Sequence, residues 1–324
     1  MRLGILGAAN IAPMALVRPA RNVPEAEVVA VAARSAERAR KFADKHGIPV
    51  VHDSYERLLA DPDLDAVYNP LPNGLHCEWT IRALEAGKHV LCEKPLASNA
   101  AEAERMAEAA EKTGRVLVEA FHYRYHPLAA RMREVIDSGV LGAVRHVEAS
   151  LCIPLLKPGD IRFDYGLGGG ATMDTGCYTV SMVRFLAGSE PEVLGAEARL
   201  ASPNVDRWMR ARLRFDGNVT GRITCALLSS TLLKIQARVI GERGEMSAFN
   251  FVAPQIYHRL KVKTETGTRI ERVRGDSSYT GQLRAFVERV RGGAPIPTDA
   301  RDGVRNMRVI DAIYEKAGLP LRGT

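Results

Sequence analysis

Gly4-Ile5-Leu6-Gly7-Ala8-Ala9-Asn10-Ile11-Ala12 decides the fold class, because it joins a short apolar strand pattern to a helix through a turn of small residues. Working outward, the same alternation of strand and helix runs to about residue 120. Strand patterns fall at Leu3-Leu6, Val28-Ala32, Val50-His52, Ala66-Asn69, His89-Cys92 and Val116-Glu119. Helical patterns lie between them, at Ser35-His46, at Cys77-Ala86 before Gly87, and at Asn99-Thr113 before Gly114. Such an order folds as a parallel, doubly wound sheet. Aligned with G-x-G-x-x-G, Gly7, Ala9 and Ala12 take the glycine positions, so only the first glycine is kept. Gly7 allows the tight turn, Ala9 a close backbone approach, and Ala12 the packing of helix on strand. Gly7, Ala9, Asn10 and Ile11 are therefore the expected contacts to a pyrophosphate at the helix N-terminus, the alternative being an ordinary strand-to-helix turn.

Beyond about Gly142 the texture changes to longer alternating runs: Arg145-Leu151, Glu192-Leu200, Met209-Phe215, Val219-Leu228, Ile235-Ile240 and Ile256-Lys263. Turn signals such as Asp216-Gly217 and Glu242-Arg243-Gly244 separate them, which predicts a mostly antiparallel sheet. Helices at about Gly281-Arg291 and Ala300-Lys316 close the chain.

The chain has 324 residues, 46% hydrophobic and 26% charged, a balance that excludes disordered, collagen-like and mini-protein classes and favours two domains over one. No apolar run approaches the ~20 residues of a membrane span. The opening lacks a basic leader region, so the expected location is the cytoplasm and no membrane partner is expected. Five scattered cysteines without a C-x-x-C pair suggest reduced structural thiols, with neither a disulfide framework nor a metal site. The net charge of +7 is spread along the chain rather than gathered into a patch, which argues against a nucleic-acid partner and suits an anionic small molecule.

Such an anion has a candidate site. After the second strand, where an acid would accept hydrogen bonds from ribose hydroxyls, the chain reads Ala33-Arg34-Ser35. Ser35 is a helix N-cap, and the capping-box position holds Arg38 instead of Glu. Two cations around a helix start oppose the helix dipole, so Arg34, Ser35 and Arg38 point to a bound anion, the 2′-phosphate of NADP. The alternative is a pair of solvated arginines matched to Glu37 or other nearby acids.

Two further blocks end at carboxyl edges of strands: Tyr68-Asn69-Pro70-Leu71-Pro72-Asn73-Gly74-Leu75-His76 and Gly87-Lys88-His89-Val90-Leu91-Cys92-Glu93-Lys94-Pro95. The second, preceded by Pro-Leu-Pro-Asn-x-x-His, closely resembles the Gfo/Idh/MocA family of NAD(P)-dependent oxidoreductases. Glu119-Ala120-Phe121-His122-Tyr123-Arg124-Tyr125-His126-Pro127 is similar to that family's segment linking two domains. Ile161-Arg162-Phe163-Asp164 through Gly168-Gly169-Gly170 to Asp174-Thr175-Gly176-Cys177-Tyr178 is similar to its active-site helix. Tyrosine at 178, in place of histidine, resembles the branch with glucose-fructose oxidoreductase, dimeric dihydrodiol dehydrogenase and NADP-dependent xylose dehydrogenase.

The resemblance implies an N-terminal Rossmann domain (1–122) and a C-terminal α+β domain (123–324) with a large, open-faced, mostly antiparallel sheet. It implies that Lys94 and Tyr178 are catalytic, that Arg162 lies near the nicotinamide, and that Asp174 supports the site. Leu71, Pro72, Asn73, His76, Glu93 and Lys94 become expected cofactor contacts, and Arg124 and His126 expected substrate contacts beside Lys94, Arg162, Asp174 and Tyr178. The residues suit that chemistry. Hydride transfer needs a proton moved at the substrate oxygen, and a phenol titrating near ~10 beside an ammonium is drawn toward working pH. Asp174 and Tyr178, four apart on one predicted helix, share a face. The three glycines before them leave room for a ligand.

The expected activity is NADP(H)-dependent oxidation or reduction of a sugar or related cyclic polyol. A nucleotide-keto-sugar reductase and a non-catalytic NADP sensor are the alternatives. A homodimer or homotetramer is expected through the outer face of the second sheet, because Thr220-Leu228 carries late apolar residues without regular alternation.

Overall fold

The computed structural model describes residues 1–157 and 159–323. Two compact units form, Met1–Tyr125 with Ser277–Val304, and His126–Asp276 with Arg305–Thr324. This is not the single cut at 122/123 read from the sequence. The segment 277–304 belongs with the first unit through contacts distant in sequence, to which local periodicity is blind.

In the first unit, β1 (Arg2–Leu6), β2 (Glu27–Ala32), β3 (Val50–His52), β4 (Ala66–Asn69), β5 (His89–Cys92) and β6 (Leu117–Glu119) form one sheet in the order β3-β2-β1-β4-β5-β6. Every pairing is parallel. This is the doubly wound order, with its switch point between β1 and β4. After β1 the chain forms a π-helical turn at Pro13–Val17 that runs into the short α1 (Arg18–Ala20). The crossovers are α2 (Ala36–His46), α3 (Tyr55–Leu59), α4 (His76–Glu85) and α5 (Ala100–Thr113). Caps fix their ends: Asn99 accepts from the Glu102 N–H at 2.9 Å, and Gly114 closes α5 at φ +64°.

The second unit carries α6 (Pro127–Asp137), β7 (Val144–Cys152), α7 (Cys177–Ala187), β8 (Glu192–Ser202), β9 (Val205–Arg214), β10 (Thr220–Ala226), β11 (Lys234–Gly241), β12 (Gly244–Phe249), β13 (Arg259–Thr264) and β14 (Gly267–Glu271). Its eight strands run β14-β13-β12-β11-β7-β10-β9-β8. All neighbours are antiparallel except β7 and β10. Helix α7 packs on β7, β10 and β11. Then α8 (Ser278–Val290) joins the first unit, and the boundary between units falls inside α9 (Ala300–Lys316).

The structure corrects several sequence readings. α6, β12 and β14 were not expected; β14 has no buried face to leave an apolar signal, since four of its five residues are exposed. The run at Ile256-Lys263 begins as strand only at Arg259, because Asn250 folds the preceding loop by donating to the Ala253 and Tyr257 carbonyls. The run Thr220-Leu228 alternates only at its start, where Thr220 and Arg222 are exposed and Gly221 and Ile223 buried; its late apolar residues Cys225, Ala226 and Leu227 are buried in succession, without alternation, as read from the sequence. Its outer face is charged, with Arg222 paired to Glu148.

One polar cluster is locked inside the second unit. Asp206 and Arg322 are both fully buried and form an ion pair at 3.1 Å. Asp206 also accepts from the Thr172 N–H and hydroxyl, each at 2.7 Å, and from the Tyr314 hydroxyl at 3.0 Å. Arg322 donates to the Gly169 carbonyl at 2.7 Å and lies over the Tyr314 and Tyr165 rings. Every strong lone pair of the carboxylate therefore meets a donor, which a buried charge requires.

Among the described residues no helix is long and apolar enough to cross a membrane. The five cysteines are free and buried.

Two predictions follow from these buried groups. Asp206→Ala strands the Arg322 guanidinium and should cost about 3–5 kcal/mol in denaturant titrations; a loss below about 1 kcal/mol would contradict the role. His126 caps α6, its Nδ1 accepting from the Leu128 N–H at 3.0 Å, and burial with His258 nearby pushes its pKa down to about 4. Its folded pKa lies below the ordinary 6.5, so between those values the unfolded chain holds the extra proton and stability falls as pH drops. His126→Asn keeps a capping acceptor and removes that proton. The variant should lose less stability than wild type between about pH 7.5 and pH 5, by roughly 1–2 kcal/mol; parallel pH profiles would contradict it.

Candidate active site

In the first unit, the turn after β1 begins at Gly7, which sits at φ +97° and donates to the Ala32 carbonyl at 2.7 Å. A Cβ there would lie 3.0 Å from the Leu71 side chain in a conformation that side chains rarely adopt, so this glycine is required. Ala12 is fully buried against the sheet, while Ala8, Ala9, Asn10 and Ile11 reach the surface.

After the neighbouring strand β2, Ser35 caps α2 by accepting the Arg38 N–H at 3.4 Å. The Arg38 guanidinium comes within 3.5 Å of the Ala8 carbonyl, which brings the two turns together. Glu37 is occupied by Lys41 at 2.6 Å. Among the described residues neither Arg34 nor Arg38 forms an ion pair. Two unneutralised cations, an N-cap serine and no acceptor carboxylate make a donor set that fits a phosphate monoester.

At the carboxyl edge of β4, Asn69 holds the Leu71 turn, accepting from the Leu71 N–H at 3.3 Å and donating to Thr80 Oγ1 at 3.1 Å. His76 was expected at the cofactor, but its ring is fully buried and closed off by protein. Its Nε2 lies 2.8 Å from the Leu71 carbonyl and its Nδ1 2.9 Å from the Pro95 carbonyl. The histidine thus ties the loop after β4 to the loop after β5. Leu71, Pro72 and Asn73 line the edge, with Asn73 opening a short 3₁₀ turn.

Glu93 and Lys94 follow β5. The Tyr68 hydroxyl donates to Glu93 Oε1 at 2.6 Å, and the Leu96 N–H is held by Glu119 at 2.8 Å. These two contacts, together with His76 on Pro95, fix the backbone on both sides of Lys94. His122 and Tyr279 face the same charge: both feel the Lys94 ammonium. Their rings stack at 3.9 Å and His122 meets Ser278 at 2.8 Å. Burial, then Lys94, pushes the His122 pKa down to about 3, so it stays neutral. Arg124 lies two residues on, half-buried in the same 3₁₀ turn.

In the second unit, Arg162 is pinned between two carboxylates, Asp174 at 3.0 Å and Asp160 at 3.1 Å. Tyr178 stands in the first turn of α7, with 7% of its surface exposed. The residues before it, Thr172–Gly176, are π-helical, so Asp174 and Tyr178 are joined by a wider turn than the expected α-helical pair. Two of the three glycines are required by the protein itself. A Cβ at Gly169 would fall 2.6 Å from the Asp164 carbonyl, and one at Gly170 2.3 Å from Asp206. His126 sits apart from the Arg162–Asp174 pair, capping α6 with its ring edge-on to His258 at 5.5 Å.

Sequence reasoning missed Asn69, Tyr68, Glu119, Asp206 and Arg322. Tyr68 and Asn69 lay inside a quoted block, but nothing in the chain marks Asp206 or Arg322 as partners 116 residues apart.

Comparison with known proteins bears on both units. Residues 1–121 match the oxidoreductase family with NAD-binding Rossmann fold, and residues 129–247 match the GFO/IDH/MocA C-terminal domain. A D-xylose 1-dehydrogenase (NADP(+)) of Haloferax volcanii is 39% identical over 98% of this chain and 97% of its own. A dTDP-3,4-didehydro-2,6-dideoxy-α-D-glucose 3-reductase of Streptomyces violaceoruber is 35% identical over 98% and 96%. Among solved structures, a 3-ketoreductase from Actinomadura kijaniata in complex with NADP and TDP-benzene superposes with a TM-score of 0.90 at 31% identity, covering 98% and 97% of the two chains. With a parallel Rossmann sheet, a second mostly antiparallel sheet, and likeness to sugar-related dehydrogenases and reductases along nearly its whole length, this chain belongs to the GFO/IDH/MocA family of NAD(P)-dependent oxidoreductases.

Proposed function

We propose that this chain is an NADP(H)-dependent oxidoreductase moving hydride between nicotinamide and a hydroxyl- or carbonyl-bearing carbon of a sugar or related cyclic polyol. The observation that carries the cofactor choice is the donor set of Arg34, Ser35 and Arg38, in which, among the described residues, neither arginine forms an ion pair, while Glu37 pairs with Lys41. The 39% identity to an NADP-dependent xylose dehydrogenase supports the substrate class. A nucleotide-linked keto-sugar is the second reading, supported by the 35% identical reductase. A cytoplasmic location belongs to the same reading.

Gly7, Ala9, Asn10 and Ile11 hold the pyrophosphate. Leu71, Pro72, Asn73 and Glu93 border its course along the carboxyl ends of β4 and β5. When bound, the nicotinamide accepts or gives the hydride. The chain's own task is the proton. In oxidation the substrate O–H proton passes to the Tyr178 phenolate as the carbon loses hydride and the carbonyl forms. In reduction Tyr178 returns it. Lys94 supplies the cation that favours the phenolate and steadies the substrate oxygen. Arg162, Asp174 and Arg124 orient the substrate hydroxyls. Arg162 is already fixed by Asp160 and Asp174, so little ordering remains when a substrate binds. A homodimer or homotetramer through the outer face of the eight-stranded sheet belongs to the same reading.

Binding and turnover separate the parts of this reading. NADPH should bind tens- to thousands-fold more tightly than NADH, from two charge-assisted contacts of about 1.5–3 kcal/mol each, and Arg38→Ala should erase much of the difference. Equal affinities in wild type would overturn the cofactor choice. Aldoses and polyols with NADP, and keto-sugars with NADPH, should reveal the substrate through cofactor absorbance. With that substrate, Tyr178→Phe should keep NADPH affinity yet lower kcat by roughly 10² to 10⁴. A variant retaining more than about a third of wild-type kcat would remove Tyr178 from the proton's path.

A further inference from the structure

The second unit holds a cavity of about 640 Å³ between the loop after β12 and the loop after β14, within the size range of small-molecule sites. Arg162, Asp174 and Tyr178 do not line it. His258, only 7% exposed, is its strut: Nδ1 donates to the Pro254 carbonyl at 2.8 Å, and Nε2 accepts the Val273 N–H at 2.8 Å. One ring thereby ties the two walls together and keeps neither nitrogen for a ligand.

His126 lines the same cavity with 2% of its surface exposed, and it differs in one respect. Its Nδ1 accepts the Leu128 N–H at 3.0 Å, so the proton of the neutral ring sits on Nε2. Among the described residues nothing accepts that proton, and Nε2 is not sealed in the interior. Burial and then His258 hold the His126 pKa down at about 4, so the ring stays a neutral donor near pH 7. It also stands at the positive end of α6.

The rim is cationic and apolar. Arg272 and Arg274 line the cavity and are exposed; among the described residues neither forms an ion pair, and no carboxylate lines the cavity. The Arg272 guanidinium lies over the Tyr257 ring at 4.7 Å, which orders it before a ligand arrives. Ile256, 78% exposed, and the Tyr257 ring add carbon surface. Two guanidinium groups and a directed N–H call for an anion, and the carbon surface calls for an apolar body attached to it.

We propose that this cavity binds a small organic anion, a carboxylate or phosphate ester with an aromatic or other apolar body, Arg272 and Arg274 taking the charge and the His126 Nε2–H an oxygen. The site lies wholly within the second unit and is independent of the cofactor and substrate assigned above.

The test is a phosphorus NMR titration of phenyl phosphate with the whole protein. Wild type should bind it saturably, with Kd in the millimolar range or tighter, and should bind inorganic phosphate more weakly. Arg272→Gln with Arg274→Gln should weaken phenyl phosphate binding at least about tenfold, and His126→Asn, which keeps a capping acceptor, roughly 3- to 10-fold. Arg38→Ala, in the first unit, should bind as wild type does. The substituted arginines are exposed, so that variant keeps its fold, as an unaltered thermal midpoint will show, and it tests the site whatever His126→Asn does to α6. No saturation up to about 20 mM, wild-type affinity in the arginine variant or in a folded His126→Asn, or loss of binding in Arg38→Ala would overturn the proposal.

Discussion

A fully buried carboxylate, Asp206, is the constraint on which the second unit depends. It accepts two hydrogen bonds from Thr172 and one from Tyr314, and pairs with Arg322, which in turn grips the Gly169 carbonyl. The stretch from Gly168 to Thr172 is thereby fixed from two sides just before the π-helical turn that carries Asp174 and leads to Tyr178. An unsatisfied charge in that position would be expensive, so the glycines that let it fit are as necessary as the carboxylate. The first unit uses a fully buried ring. His76, closed off between the Leu71 and Pro95 carbonyls, joins the loops after β4 and β5 and holds the backbone around Lys94. In each unit a buried polar group bonded to protein partners sets the place of a residue expected to do chemistry.

The two ends of the expected dinucleotide pose opposite electrostatic demands. At the β2 end the chain leaves cations unpaired, Arg34 and Arg38, with Glu37 diverted to Lys41. Near Lys94 the charge is instead managed closely: Tyr68 donates to Glu93, and His122 stays neutral because burial and the ammonium both oppose its protonation. An imidazolium there would repel Lys94, while a neutral ring stacked on Tyr279 leaves the ammonium as the cation of that cluster.

How much of this was legible in the chain depends on range. β3, β4, β5 and α9 lie at the residues where periodicity put them, and the N-cap Ser35 and the closing Gly114 bound their helices as read, because those signals are local. β14 and α6 were not seen. An exposed edge strand has no buried face, and α6 starts at a proline within a segment read as a link. At the site, the arginines proposed to bind an anion were flagged by a missing capping-box glutamate. The roles of His76, the triple glycine and Asp206 could not be read at all, since each depends on partners far along the chain. His76, Gly169 and Gly170 stood in motifs that suggested ligand contact, and each is held by close contacts within the protein itself.

The central claim, hydride transfer between a sugar-type carbon and NADP, has a direct measurement. Aldoses carrying deuterium at C1, D-xylose among them, are incubated with the enzyme and NADP, and the recovered cofactor is weighed by mass spectrometry. The account predicts NADPH carrying one deuterium from the substrate that is turned over. Reduced cofactor without the label would contradict direct transfer, and a cofactor left oxidised by every aldose and polyol, with NADPH left reduced by every keto-sugar, would contradict the assigned activity.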